Sequence, residues 1–287
     1  MTVLGRYNVY EDGALIAQAT NTVTLEGRRS ILSILAGRIS PPGTMLYGCA
    51  SDNLPASTQK TLDLPVGFAN VVFATPLYDA DTPSSSKIVY KSRVPEGFAA
   101  TIHEVGMSYG SVDSPLIVSF GATDRYTSHT FDSLTVNETD ARIGTNAIDF
   151  TSGEGTLVLE RNLDASGAIA TDEIVLGALS SAGSNVTVVF TDVNGYTATG
   201  VFAVPSGGGY ELVAVALSAF SLSNPNFEWG SIVSVSISVS ATTTLDGLVV
   251  RSENQNGVLF SRAKFVTPVV KKLGSKMDIE YELVVPF

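Results

Sequence analysis

The 287 residues are 44% apolar and only 16% charged, with 17 Lys+Arg against 28 Asp+Glu, enough apolar chain for a substantial core and, by length, for two domains. The single cysteine, Cys49, excludes an internal disulfide and a cysteine-based metal site, and is expected to be a small buried hydrophobe. No run nears the roughly eighteen apolar residues of a membrane-spanning helix, and Met1 to Tyr7 lack the apolar stretch of a secretory signal, so the expectation is synthesis in a cytoplasm, with exit only by lysis or within an assembly.

Residues 6–19 read as a β-hairpin, Arg6–Tyr10 and Ala14–Ala17 flanking Glu11-Asp12-Gly13, because Asp-Gly is a strong hairpin signal. A helix follows from Leu25 to Arg38. Ile31, Leu32, Ile34 and Leu35 make its apolar face, Thr24 can cap its start and Gly37 can end it. Pro41-Pro42-Gly43 enforces a turn, Met45–Ala50 is a short strand, and Ser51–Leu64 reads as a polar loop. Phe68–Tyr78, Lys87–Val94, Phe98–Tyr109 and Pro115–Phe120 complete a first β-rich block.

The charge then changes. Between Tyr126 and Val250 two basic residues, Arg142 and Arg161, face thirteen acidic ones, while the remainder carries fifteen of each sign. Such a shift predicts a separate domain, and its sign predicts repulsion of nucleic acid. Eight short strands fit this region: Ala147–Phe150, Thr156–Glu160, Glu173–Leu179, Val186–Phe190, Thr197–Val204, Tyr210–Val215, Ile232–Val239 and Leu245–Val250. Turns separate them at Ser152–Gly155, Asp192–Gly195 and Ser206–Gly209, a rhythm that suggests a two-sheet jelly roll. Ser231–Ser240 alternates Ser with Ile or Val, one polar face and one buried.

The chain closes on two more strands. Asn256–Phe265 with Thr267–Lys272 has a slip of phase near Arg262. Met277–Val285 puts Met277, Ile279, Tyr281 and Leu283 on one face and Asp278, Glu280 and Glu282 on the other. The last strand has no evident partner just before it, so the sheet it joins should have been laid down much earlier. The basic turn Lys271-Lys272 with Lys276 reads as a solvated hairpin or an inter-subunit electrostatic contact rather than as a nucleic-acid or membrane patch.

Four pieces of the acidic segment resemble the jelly rolls of carbohydrate-binding modules and galactose-binding-like domains: Ile143–Phe150, Asn162–Gly167, Phe227–Ile232 and Thr244–Val250. Their order and spacing fit over roughly 110 residues, although Gly247 stands where a second acidic residue is usual. The flanking parts resemble structural proteins of tailed bacteriophages of the tail-fibre, baseplate and collar kind. The pieces that carry this are Gly27–Leu32, Ile102–Met107, Val258–Phe265, Lys271–Gly274 and Ile279–Leu283. Together these imply an all-β chain: a discontinuous β-rich assembly domain with one short helix, residues 1–125 and 252–287, and an inserted jelly-roll β-sandwich, residues 126–251.

Enzyme chemistry has little support in the sequence. His103 and Glu104 are adjacent in a strand, so they point to opposite faces, and Glu104 is better read as satisfying a buried donor. No nucleophile elbow, P-loop or zinc-protease motif occurs, though two carboxylates of the sandwich would suffice for a glycosidase. For sugar binding, Tyr196 after Asn194-Gly195 and Tyr210 after three glycines are the expected exposed platforms, whereas Phe227 and Trp229 should pack in the core. The jelly-roll resemblance implies a structural calcium at Asp246, with Asp132, Glu138 and Asp140 as co-ligands; the alternative is a solvated acidic edge.

The expectation is therefore a non-enzymatic virion subunit that binds copies of itself and other virion proteins. Its outward jelly roll meets host-surface glycan, with no nucleic acid and no membrane insertion. The alternative is a stand-alone carbohydrate-binding, lectin-like protein.

Overall fold

In this computed structural model the described residues are 4–38, 42–49, 55–56, 58, 62–73, 77–78, 85–109, 116–118, 120, 126–129, 134–137, 140–143, 147–150, 153–252 and 258–286. They are mostly β-strand, with one α-helix among them, and the chain divides into two units, Met1–Ser114 with Asn256–Phe287, and Pro115–Gln255. No helix among the described residues is long and apolar enough to cross a membrane.

The discontinuous unit begins with β1 (Leu4–Glu11) and β2 (Ala14–Thr20). Asp12 and Gly13 between them both take positive φ, as a two-residue hairpin turn requires. After β3 (Thr22–Val23) comes α1 (Leu25–Leu35). The Thr24 hydroxyl accepts the N–H of Gly27 at 2.9 Å and donates to the Leu259 carbonyl at 2.5 Å, so one side chain both caps the helix and ties it to the sheet. At the other end Gly37 (φ +66°) lets its own N–H reach Ile34 O and that of Arg38 reach Ser33 O, a Schellman closure. Then follow β4 (Thr44–Gly48), β5 (Pro65–Phe73), β6 (Leu77–Tyr78), β7 (Ser85–Val94) and β8 (Ala100–Tyr109).

The inserted unit contributes β9 (Leu116–Val118), β10 (Tyr126–His129), β11 (Leu134–Asn137), β12 (Ala147–Phe150), β13 (Gly153–Leu163) and β14 (Glu173–Leu179). It continues with β15 (Ser184–Asp192), β16 (Thr197–Val204), β17 (Glu211–Ala216), β18 (Ser221–Leu222), β19 (Ile232–Val239) and β20 (Thr243–Arg251). The chain returns to the first unit with β21 (Val258–Lys271) and β22 (Met277–Pro286).

In the first unit the strand order is β2-β1-β22-β7-β5-β4-β8-β21-β3, with β6 also on β7. β22 lies between β1 and β7, antiparallel to both, so the last strand does join a sheet laid down at the start. Its acidic face is met from both sides: Asp278 by Arg93, Glu280 by Lys91, and Glu282 by Arg6 and Lys87. Cross-strand partners take up these charges, with Lys276 of the turn adding its field at Asp278. β5 pairs with β4 from Pro65 to Asn70 and with β7 through its last three residues, so it links the two parts of the ladder. Tyr7 packs on its cross-strand neighbour Tyr281 with ring centroids 4.7 Å apart and the rings tilted by 35°, and its hydroxyl lies 2.6 Å from Ser261 Oγ on β21.

The insert is a jelly-roll sandwich of two antiparallel sheets, β10-β13-β19-β15-β16-β18 and β11-β12-β20-β14-β17, with β9 on β20. Ile174, Leu176, Leu245 and Leu248 of one sheet share the core with Val188, Phe190, Val235 and Ile237 of the other. β9, read from sequence as the end of the first block, thus belongs to the insert, because Leu116 and Val118 pair with Val249 and Leu248.

Candidate functional site

Asp246 and Tyr210, expected in separate roles, are brought together. Asp246 points away from the sandwich core on β20, yet is buried because residues 140–143 cross over it. Its carboxylate accepts the backbone N–H of Arg142 at 2.6 Å and that of Ile143 at 3.3 Å. The Tyr210 hydroxyl donates to the Asp246 carbonyl at 3.1 Å, and the Arg142 guanidinium sits 3.8 Å from the centre of the Tyr210 ring. Burial pushes the Asp246 carboxyl well above the usual carboxylate range, opposed by those two amides and the Arg142 charge. A side chain at Gly177 would collide with the Tyr210 hydroxyl, so Tyr210 lies down on β14. It is half-buried with one ring face covered, which differs from the open platform expected of it.

This arrangement is a clasp that fixes the approach to β12. Among the described residues no three His, Cys, Asp or Glu side chains come together in a way that would hold a metal ion. The carboxylate of Asp246 faces backbone donors there, which a cation would have to displace. Asp140 is half-buried, and Asp132 and Glu138 lie outside the described residues.

Tyr196 sits at a second corner, organised by a residue the sequence reading did not single out. Asp192 Oδ1 accepts the N–H of Asn194 and of Tyr196, both at 2.9 Å, and Oδ2 accepts that of Glu228 at 3.0 Å. Burial would raise the Asp192 carboxyl, but the three amides hold it below its ordinary value. The signal was there in Asp-x-Asn-Gly, the pattern of a carboxylate capping its own turn. Tyr196 is half-buried against the insert core rather than exposed. Trp229 packs edge-on to Phe190, Phe220 and Phe227, with centroids 5.8, 5.4 and 5.0 Å away, as expected of a core anchor. Its carbonyl accepts the N–H of Ala165, in a turn where Asp164 accepts the N–H of Ser166. Two of the motif-bearing stretches therefore meet in space.

The sheet that holds β19 and β15 turns a row of hydroxyls to its outer face. Ser234, Ser236 and Ser238 of β19 alternate with buried Val235, Ile237 and Val239. Ser238 is paired in register with Thr187 of β15, and Ser234 with Thr191. These residues are half-buried hydroxyls with no formal charge among them, able to donate and accept hydrogen bonds.

In the discontinuous unit, Glu104 and His103 do lie on opposite faces, and Glu104 does satisfy buried donors. Its Oε1 accepts the N–H of Asp63 at 2.7 Å and of Leu64 at 3.1 Å, and its Oε2 lies 2.5 Å from Arg262 Nη2. The turn lysines differ from expectation at one position: Lys271 is buried, its Nζ donating to the Lys272 carbonyl at 2.7 Å, while Lys272 and Lys276 are solvated.

No family model matches this chain, and no curated protein matches it either. Solved structures do. The family 11 carbohydrate-binding module of a cellulosomal cellulase of Clostridium thermocellum is 12% identical, over 50% of this chain and 96% of that one, with a TM-score of 0.38. A carbohydrate-binding module from Clostridium stercorarium in complex with cellobiose is 16% identical, over 50% and 98%, with a TM-score of 0.34. An exo-beta-agarase is 12% identical, over 48% of this chain and only 25% of that one, with a TM-score of 0.39.

Proposed function

We propose that this chain is a structural subunit of a tailed-phage virion, in the tail, baseplate, collar or fibre, whose discontinuous unit makes the subunit contacts and whose inserted jelly roll faces outward to meet host-surface glycan. The observation that carries this is the division of charge. Residues 1–114 with 256–287 hold thirteen basic and thirteen acidic side chains, while residues 115–255 hold four and fifteen, the whole net charge of −11. A neutral unit can pack against copies of itself and other virion proteins. An acidic one is kept apart by repulsion and is left at the periphery. The proposed role is binding rather than turnover.

The glycan part rests on the row of hydroxyls Thr187, Thr191, Ser234, Ser236 and Ser238, which Glu154, in register with Ser238, flanks on β13. The same face supports a second reading, a stand-alone carbohydrate-binding protein without an assembly role. The two separate in one pair of measurements: solution mass by light scattering, and retention on a glycan array of the wild type beside Thr187→Glu/Ser236→Glu. A multimer supports the virion subunit, and retention that the double variant loses supports the glycan face. A monomer that is retained gives the stand-alone reading. A monomer that is retained nowhere overturns both.

A further inference from the structure

β2 is the outermost strand on its side of the first unit's sheet, and its Ala14, Leu15, Ile16, Gln18 and Thr20 are exposed. Two irregularities shape what lies beside it. In the β1–β2 ladder Val9 pairs with Ala17 but Tyr10 with Leu15, so Ile16 is an extra residue, bulged out of the ladder. In β21 the pairing with β8 jumps from Lys264 to Val269, so Phe265 to Pro268 swing out. The two bulges border an open groove of about 470 Å³, whose lining includes Ile16, Phe265, Val266 and Pro268 together with Glu11 and Lys272. Val266 stands on the groove's own wall and is 101% exposed, so nothing in its own subunit covers it.

We infer that this groove seats a second copy of the same chain, with the Val266 bulge of each subunit entering the groove of the other. The inference rests on the assembly reading above and names its surface and partner. Three observations favour a second copy over other occupants. The same patch carries an apolar projection and an apolar recess, the self-complementary pair that a two-fold contact needs. Its lining offers one acid and one base, which a two-fold brings together as Glu11–Lys272 pairs in both directions. The unit itself is neutral, so this surface adds no net repulsion between copies, whereas an anionic lipid surface would need a basic face. β2 adds no charged side chain of its own to oppose such an approach.

The test is the solution mass of the full chain by light scattering at tens of micromolar, for wild type, Val266→Asp, Glu11→Lys, Lys272→Glu and the double exchange Glu11→Lys/Lys272→Glu. Circular dichroism melts check the fold, and Val266→Asp should melt as the wild type does because its site touches nothing within the subunit. The expected result is a wild-type multimer, at least a tenfold weaker association for Val266→Asp and for each single charge variant, and recovery in the double exchange. A wild-type multimer whose mass Val266→Asp leaves unchanged overturns the groove while leaving the assembly reading standing. A wild-type monomer at every concentration overturns both.

Discussion

Among the described residues Arg262 is the largest fully buried side chain, and it is charged. Its Nη2 lies 2.6 Å from Asp63 and 2.5 Å from Glu104, and Glu104 also holds two backbone amides of the segment that leads into β5. Removing the cation would strand two carboxylates in the interior, so Arg262→Met should cost about 3–5 kcal/mol in urea unfolding. A loss below about 1 kcal/mol would mean that the pair is solvated or neutral. Glu104 carries a pH signature as well. Burial, with the nearby Asp63 charge, raises its carboxyl to about 7, against the opposing pull of Arg262 and the amides. Its folded-state value exceeds its unfolded one, so its stabilising contribution is full below about 4.5, declines as pH rises, and levels off above about 7. Urea midpoints of wild type and Glu104→Gln across pH 5 to 8 should therefore differ most at the acid end, and a pH-independent difference would refute the titration. At the Asp246 clasp the sign is the same, since its carboxyl is also raised by burial. There Tyr210→Phe removes the hydroxyl that donates to the Asp246 carbonyl, and should cost about 1 kcal/mol, read by the same unfolding experiment.

At the scale of elements, the strands Glu173–Leu179, Thr197–Val204 and Ile232–Val239 fall where the sequence places them. The helix starts at Leu25 as expected but ends at Leu35 rather than Arg38; its two ends are nonetheless set by local chemistry. Thr24 and Gly37 are an N-cap and a C-terminal glycine, each acting within a few residues of itself. Thr24→Ala should cost about 1 kcal/mol or more, because the hydroxyl also bonds the Leu259 carbonyl, and thermal melts would register the shift. The Asp12-Gly13 hairpin was legible for the same reason, and so was the alternation of Ser231–Ser240. What escaped the sequence depends on partners far along the chain. Arg262 reads as a surface residue until residue 63 and residue 104 are beside it. The slip of phase near Arg262 in β21 is resolved into two bulges, between Leu259 and Ser261 and between Lys264 and Val269, set by its pairing with β8. Of the candidate site, Trp229 and Phe227 were read as core because they enter an alternating strand, and they are core. Tyr196 and Tyr210 follow glycine turns, which argued for exposure. Asp192 and Arg142, whose contacts hold them down, sit 4 and 68 residues away.

For the whole molecule, the two units have separate cores and the chain has a single tryptophan. Trp229 lies in the insert, wedged among Phe190, Phe220 and Phe227, so its fluorescence reports on the jelly roll alone. Far-ultraviolet circular dichroism reports strands of both units. If each core unfolds as its own cooperative block, the two probes should give non-coincident urea transitions, because a two-state molecule cannot distinguish them. Arg262→Met then becomes a decisive variant. Its contacts to Asp63 and Glu104 all lie in the discontinuous unit, so the dichroism transition should broaden or split towards lower urea while the tryptophan midpoint stays in place. If the tryptophan transition moves by the same amount, the two units fold as one cooperative body, and the insert depends on its host for stability. An unmoved tryptophan transition means that the acidic jelly roll stands on its own core, as a display module carried by a neutral, self-associating base would require.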